Sequence, residues 1–133
     1  MGDNMSKYHK KEEIEAINIQ LIALVFTVIT SIISIIITYN QKLELEDKDT
    51  LFTPKDSLKI TLFNRKLILI LSFVFLYVNL VLKQISKEEG EDLKPYNLQI
   101  VASLFIIVSG IIALYVVSLS NTENVSDVEN PVI

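Results

Sequence analysis

The chain has 133 residues, half of them hydrophobic, with no cysteine and a formal net charge of -4 at pH 7. The lack of cysteine excludes disulfide bonds and thiolate chemistry, and the acidic balance without a basic patch excludes nucleic acid as a partner. Abundant Ile, Lys and Asn with no Trp are typical of an AT-rich genome and favour a bacterial source.

The first element is a run of 26 residues without a charge, between Glu15 and Lys42. About 20 residues of helix suffice to cross the hydrocarbon core of a bilayer. A cleaved signal peptide has an apolar region of only about 7 to 15 residues and a small-residue cleavage site, which this run lacks. We therefore predict an uncleaved helix that begins near Ser6 and spans the membrane over about 17–39.

Small and polar residues recur every three or four positions along this span, so they share one helix face. They are Gln20, Ala23, Thr27, Thr30 and Ser34. In lipid such a face predicts a helix-packing seam, because small residues allow close approach and hydroxyls find partners only on neighbouring helices. A polar face lining a conduction path is the alternative.

His9 lies upstream of this span, among lysines. No His, Cys or carboxylate stands at ligand spacing from it in the sequence. We expect a solvated side chain rather than a metal ligand.

A second helix is predicted to begin at Thr53, with Pro54 in its first position and Asp56 completing a capping pattern. Its uncharged core, 67–82, has 16 residues, which is short for a bilayer. Flanking cations at both ends can extend their charges to the interface, so we predict a span over about 65–84. Asn79, near the end of this span, is expected to bond a neighbouring helix.

Gly90 is predicted to end the second helix, and Pro95 fits the first turn of a third one. The connection is so short that the second and third helices must be antiparallel neighbours. The third span is predicted over about 97–119. Its expected contribution to the packing seam comprises Gln99, Ala102, Ser109, Gly110 and Ala113. The remaining tail, 121–133, is polar and acidic without Lys or Arg, and is predicted to be disordered.

The first and third spans share residues when they are aligned with an offset of 79. Asn18, Gln20 and Ala23 then fall on Asn97, Gln99 and Ala102. Spans separated by one crossing run in the same direction, so a parallel repeat with corresponding faces is allowed. Chance convergence is the alternative, because the similarity covers one short helix.

These elements predict an all-α integral membrane protein: a single three-helix domain over 1–120, threaded up-down-up, with helices extending beyond the bilayer. Lys and Arg number three before the first span, six in the first loop, three in the second and none in the tail. The positive-inside count is therefore tied. Only the third span has lysine on one side alone, which favours an N-terminus inside a cell membrane.

The sequence has no Gly-rich phosphate loop, zinc-protease motif or nucleophile elbow, and no charge inside the spans. We therefore predict a protein that is not an enzyme and needs no cofactor or metal. It would act through helix contacts as an accessory subunit, anchor or scaffold. Its expected partners are the lipid bilayer and a homo-oligomer or larger membrane complex.

Two other functions stay open. One is a homo-oligomeric channel or small-solute carrier, in which several chains line a pathway. The other is a membrane permeabiliser, since three spans and a small size resemble holins. A resemblance to holins would imply a basic cytoplasmic tail. This chain departs from that pattern, because its tail is acidic.

Overall fold

The computed structural model describes the backbone of residues 2–119 and the side chains of residues 7–119, and it is all-helical there. The elements are α1 (Gly2–Leu45), α2 (Pro54–Glu88) and α3 (Lys94–Leu119). At 1.5 Å per residue their lengths are about 66, 52 and 39 Å. All three are long and apolar enough to cross a bilayer, which confirms the all-α prediction and the three candidate spans. The predicted disordered tail lies outside the described residues.

The start of α2 follows the predicted capping pattern. Thr53 is the N-cap residue, and its hydroxyl accepts a hydrogen bond from the backbone N–H of Asp56 at 3.2 Å. Pro54 occupies the first helical position, where no intrahelical donor is needed. The predicted beginning of α2 is therefore confirmed.

The ends of α1 and α2 are alike. Gly90 has a φ of 74°, its N–H donates to the carbonyl of Lys87, and the N–H of Glu91 donates to the carbonyl of Ser86. This is the Schellman motif, so the predicted role of Gly90 is confirmed. The same pair of bonds ends α1, with Asp47 at a φ of 55° in the place of glycine.

The connection from α1 to α2 is fixed by Asn40. This side chain is only 2% exposed, and its Oδ1 accepts hydrogen bonds from the backbone N–H groups of Leu51 and Phe52, at 2.7 and 3.0 Å. Two donors of the loop are thereby satisfied against the last turns of α1. These two hydrogen bonds hold the charged loop against the end of α1.

Both outer helices pack mainly on α2, and each is antiparallel to it. Ser34 of α1 bonds Asn64, whereas Ser103 of α3 bonds Asn79. The residues of α2 therefore form two series with a seven-residue period, offset by one position. The α1-facing series is Ser57, Asn64, Leu71, Val78 and Ile85, and the α3-facing series is Leu58, Arg65, Ser72, Asn79 and Ser86.

This offset sets the arrangement of the bundle. Consecutive residues of an α-helix point about 100° apart, so the two series face neighbouring sides of α2. Because α1 and α3 pack mainly on α2 and little on each other, a groove remains between them with α2 as its floor.

We predict that Asn40→Ala destabilises the fold by about 1 to 3 kcal/mol, because two buried N–H groups lose their acceptor. The melting temperature in detergent should fall, and amide exchange at Leu51 and Phe52 should accelerate. Asn40→Asp retains the acceptor oxygens and Gln41→Ala leaves the two bonds intact, so both should stay close to the parent chain. Equal losses in the Asn40→Ala and Gln41→Ala chains would contradict this role.

Candidate functional site

The face of α1 toward α2 carries mainly small and polar residues. Ala16, Ala23 and Thr30 are buried at seven-residue intervals, and Ala23 and Thr30 are only 2% and 3% exposed. The other predicted positions of this face are partly buried, namely Gln20, Thr27 and Ser34. The structure therefore brings all five predicted α1 residues to one interface. Their spacing matches the knobs-into-holes packing of antiparallel bundles.

Two asparagines of α2 join the helices across these interfaces. The amide Nδ2 of Asn64 donates to Ser34 Oγ at 2.9 Å, and Nδ2 of Asn79 donates to Ser103 Oγ at 3.0 Å. Each serine hydroxyl in turn donates to a carbonyl of its own helix four residues earlier. Each of these two serine hydroxyls thus accepts a hydrogen bond from α2 and donates one within its own helix. These bonds satisfy polar groups for which lipid offers no partner.

Asn79 was anticipated from the sequence as an interhelical group, whereas Asn64 and Ser103 were not. Asn64 lies next to Arg65 in the charged segment at the start of the span, so its interhelical role is not evident from the sequence. The signal available was the series Ser57, Thr61 and Asn64, which repeats small polar residues on one helix face. All three are buried.

The face of α3 toward α2 differs from the predicted one by about one residue. It is centred on Ser103, Ile107 and Val117, which are buried. Gly110 is partly buried against α2, and a Cβ there would lie 3.2 Å from Leu69 Cδ1. Ala113 is also partly buried. The three other predicted residues are exposed: Gln99, Ala102 and Ser109.

The offset-79 similarity is therefore not matched by equivalent packing. Ala23 and Thr30 are buried in α1, whereas their counterparts Ala102 and Ser109 are exposed in α3. A shift of one residue rotates a helix face by about 100°. Within this fold, the two spans present different faces to α2.

The groove between α1 and α3 has a cavity volume of about 230 Å³. Its lining residues come from all three helices and are Thr27, Thr30, Ile68, Leu71, Ser72, Phe75, Ser103 and Ile106. The four hydroxyls among them all donate to carbonyls of their own helices, at 2.8 to 2.9 Å. The groove therefore presents mostly carbon, and no lining hydroxyl proton is free for a solute.

Arg65 lies toward one end of this groove. It is one helical turn before Ile68 on α2, and its Nη1 is 3.5 Å from the carbonyl oxygen of Ala113 on α3. That single contact is long for a hydrogen bond. Among residues 7–119, no carboxylate lies within ion-pair distance of the guanidinium.

His9 lies at the other end of the molecule, and the prediction that it is solvated is wrong. The residue is only 5% exposed, and its Nε2 lies 2.6 Å from Glu88 Oε2 and its Nδ1 3.6 Å from Glu89 Oε1. The sequence did not reveal these carboxylates because they lie on α2, about 80 positions away. The contact ties the N-terminal extension of α1 to the end of α2.

The same contact alters the ionisation of Glu88. Hydrogen bonds from Gln84 and His9, with the positive charge of a protonated His9, hold the pKa of the Glu88 carboxyl below its usual value. The bond from Gln84 Nε2 to Glu88 Oε1 measures 3.1 Å. Ionised Glu88 is therefore the form that holds the two helix ends together.

Within the described side chains, no three His, Cys, Asp or Glu residues assemble into a metal site. Comparisons of the chain with protein-family models, with curated proteins and with solved structures give no match. The interpretation of this site therefore depends on its own geometry.

We predict that Ala23→Leu destabilises the protein by about 1 to 3 kcal/mol, because a larger side chain overpacks the α1–α2 interface. Ile29→Leu is the matched change on an exposed face of the same helix and should alter stability by less than about 0.5 kcal/mol. Thermal melting in detergent compares the two. Equal tolerance of both substitutions would show that Ala23 is not at a close helix contact.

A second prediction concerns the pH dependence of the His9–Glu88 contact. A lowered carboxyl pKa contributes stability above the ordinary carboxyl pKa, and this is lost as the pH falls through the lowered value. Spin labels on cysteines introduced at Glu13 and Lys87 should therefore show a broader distance distribution in acid than at neutral pH. With Glu88→Gln the acid-induced broadening should shrink, whereas Glu12→Gln should leave it unchanged. Undiminished broadening in the Glu88→Gln chain would exclude Glu88 as its source.

Proposed function

We propose that this chain is a multi-pass integral membrane protein that works through contacts between helices, as an accessory subunit, anchor or scaffold of a larger membrane complex. The observation that carries this proposal is the distribution of hydrophobic residues. Only nine hydrophobic residues are buried among the described side chains, whereas 33 large hydrophobic ones are exposed. Such a surface is unfavourable in water but suits the hydrocarbon of a bilayer.

The proposed orientation places the N-terminus and the Gly90 loop on the inside of a bacterial cell membrane, and the loop around Asp49 outside. The antiparallel packing of consecutive helices supports alternate crossings. The lengths of α1 and α2, about 66 and 52 Å, support helices that continue beyond a hydrocarbon core of about 30 Å.

The exposed small-residue face of α3 is the proposed contact surface. Ala102 and Ser109 are exposed, and so is Gln99 one turn before Ala102. Small side chains allow another helix to approach closely in lipid, and an amide can bond across that contact. The fold itself provides no partner for this face. We assign it to a transmembrane helix of a different protein.

The alternative of a channel or small-solute carrier has less support. A conduction path requires polar groups that replace the hydration shell of an ion or solute. The hydroxyls of the groove are already bonded within their own helices.

The proposal is tested by site-specific photocrosslinking in native membranes. A photoreactive amino acid at Ala102 or Ser109 should give adducts with one larger membrane protein. The same amino acid at Val101 or Val108, one position earlier in each case, should give markedly fewer. Adducts of twice 15.1 kDa would instead indicate a homo-oligomer. The absence of any protein adduct at all four positions would overturn the accessory role.

Insertion is measured separately, by cysteine labelling in sealed vesicles. Because the chain has no cysteine, single replacements at Asp49 and Glu91 are clean reporters. They should react with an impermeant reagent from opposite sides. Labelling from the same side would mean that α2 does not span. Glu91 replaces Gly90 as the reporter, because the φ of 74° at Gly90 disfavours a side chain.

A further inference from the structure

The groove between α1 and α3 is apolar along its length and cationic at one end. Ile68, Ser72 and Phe75 form its floor on α2, and Arg65 precedes Ile68 by one turn. On α3, Ile106 lines the groove and Ala113 follows it by seven residues, on the same helix face. Arg65 contacts the carbonyl of Ala113, which places its guanidinium between α2 and α3 near this end of the groove.

The neighbouring lysines of α2 do not share that position. Lys66 follows Arg65 by one residue and therefore points about 100° further round α2, away from the groove. Lys55 and Lys59 lie on that outer side of the helix too. All three lysines are exposed, whereas Arg65 is partly buried. With no carboxylate partner among the described side chains, this partly buried guanidinium has donors left to offer an anion.

The dimensions fit one leaflet of a bilayer. From Arg65 to Phe75 is ten residues, or about 15 Å of helix, which is half the thickness of the hydrocarbon core. An anion at Arg65 would stand at headgroup level, and a chain descending from it would reach the deepest part of the groove near the bilayer centre. The cavity of about 230 Å³ exceeds the roughly 150 Å³ that holds a benzene molecule in an apolar protein interior.

We propose that this groove binds an anionic phospholipid, with the phosphate on Arg65 and one acyl chain between α1 and α3. The site rests on the membrane insertion proposed above, but not on the accessory role. An anionic headgroup is favoured over a zwitterionic one because Arg65 has no compensating acid among the described side chains.

The test is lipid binding to the purified full-length chain, measured by native mass spectrometry and by melting temperature in detergent. Dioleoyl phosphatidylglycerol is compared with dioleoyl phosphatidylcholine. Both headgroups offer Arg65 a phosphate, but only phosphatidylcholine carries a quaternary ammonium, which opposes the guanidinium. We therefore expect the anionic lipid to bind about tenfold more tightly. Arg65→Gln should abolish this preference, and Lys66→Gln should retain it. Equal preference in both variants, or none in the parent chain, would overturn the proposal.

The groove is tested independently of Arg65. Thr27→Phe places a ring in the cavity and should reduce binding of both lipids, whereas Val28→Phe adds the same ring to an exposed face and should not. This comparison remains decisive if Arg65→Gln fails to fold. Retained lipid binding in the Thr27→Phe chain would overturn the assignment of the acyl chain to the groove.

A soluble phosphate is the other source of the same anion. Inorganic phosphate and glycerol phosphate should neither raise the melting temperature nor displace the lipid, because the acyl chain contributes to binding. Stabilisation by phosphate equal to that by phosphatidylglycerol would overturn the lipid assignment. Retention of the chain in alkali-washed vesicles separates the two proposals. A retained chain without lipid preference refutes only this site, whereas a chain that is washed away refutes membrane insertion itself.

Discussion

The fold depends on two amide–hydroxyl hydrogen bonds, which join α2 to α1 and to α3. In water, apolar helices associate because burial removes their surface from the solvent, but lipid is as apolar as the side chains themselves. Association in a bilayer therefore relies on close packing and on polar groups that find partners only on another helix. Asn64 with Ser34 and Asn79 with Ser103 supply those bonds, and the small residues around them allow the helices to approach.

The groove follows from where these asparagines lie on α2. The α1-facing and α3-facing series are offset by one residue, so the outer helices pack on neighbouring sides of α2 and little on each other. The bonds that stabilise the bundle therefore also keep a face of each outer helix uncovered. Closing the groove between α1 and α3 would add contacts between these helices. The open groove is therefore the place where a bound ligand or partner can add the most contacts.

Hydropathy and capping residues predicted the three helices and two of their ends, because these properties are local. The packed face of α1 was also predicted, since its small polar residues stand out among Ile, Leu and Val. The face of α3 was not, because Ser103 and Ser109 are equally small and the helix is apolar on every side. Only the position of Asn79 on α2 distinguishes them, and His9 likewise depends on carboxylates of a distant helix.

The two proposed binding surfaces are adjacent, and this has a thermodynamic consequence. Ile106 lines the groove, and it lies between Ala102 and Ser109 on α3 at helical spacing. A lipid chain in the groove would contact Ile106 and fix the separation of α1 and α3, and a helix packed on Ala102 and Ser109 would meet the same side chain. If the lipid changes the affinity for that helix by some factor, the helix must change the affinity for the lipid by the same factor. Lipid binding in the groove and assembly through α3 would thus be coupled.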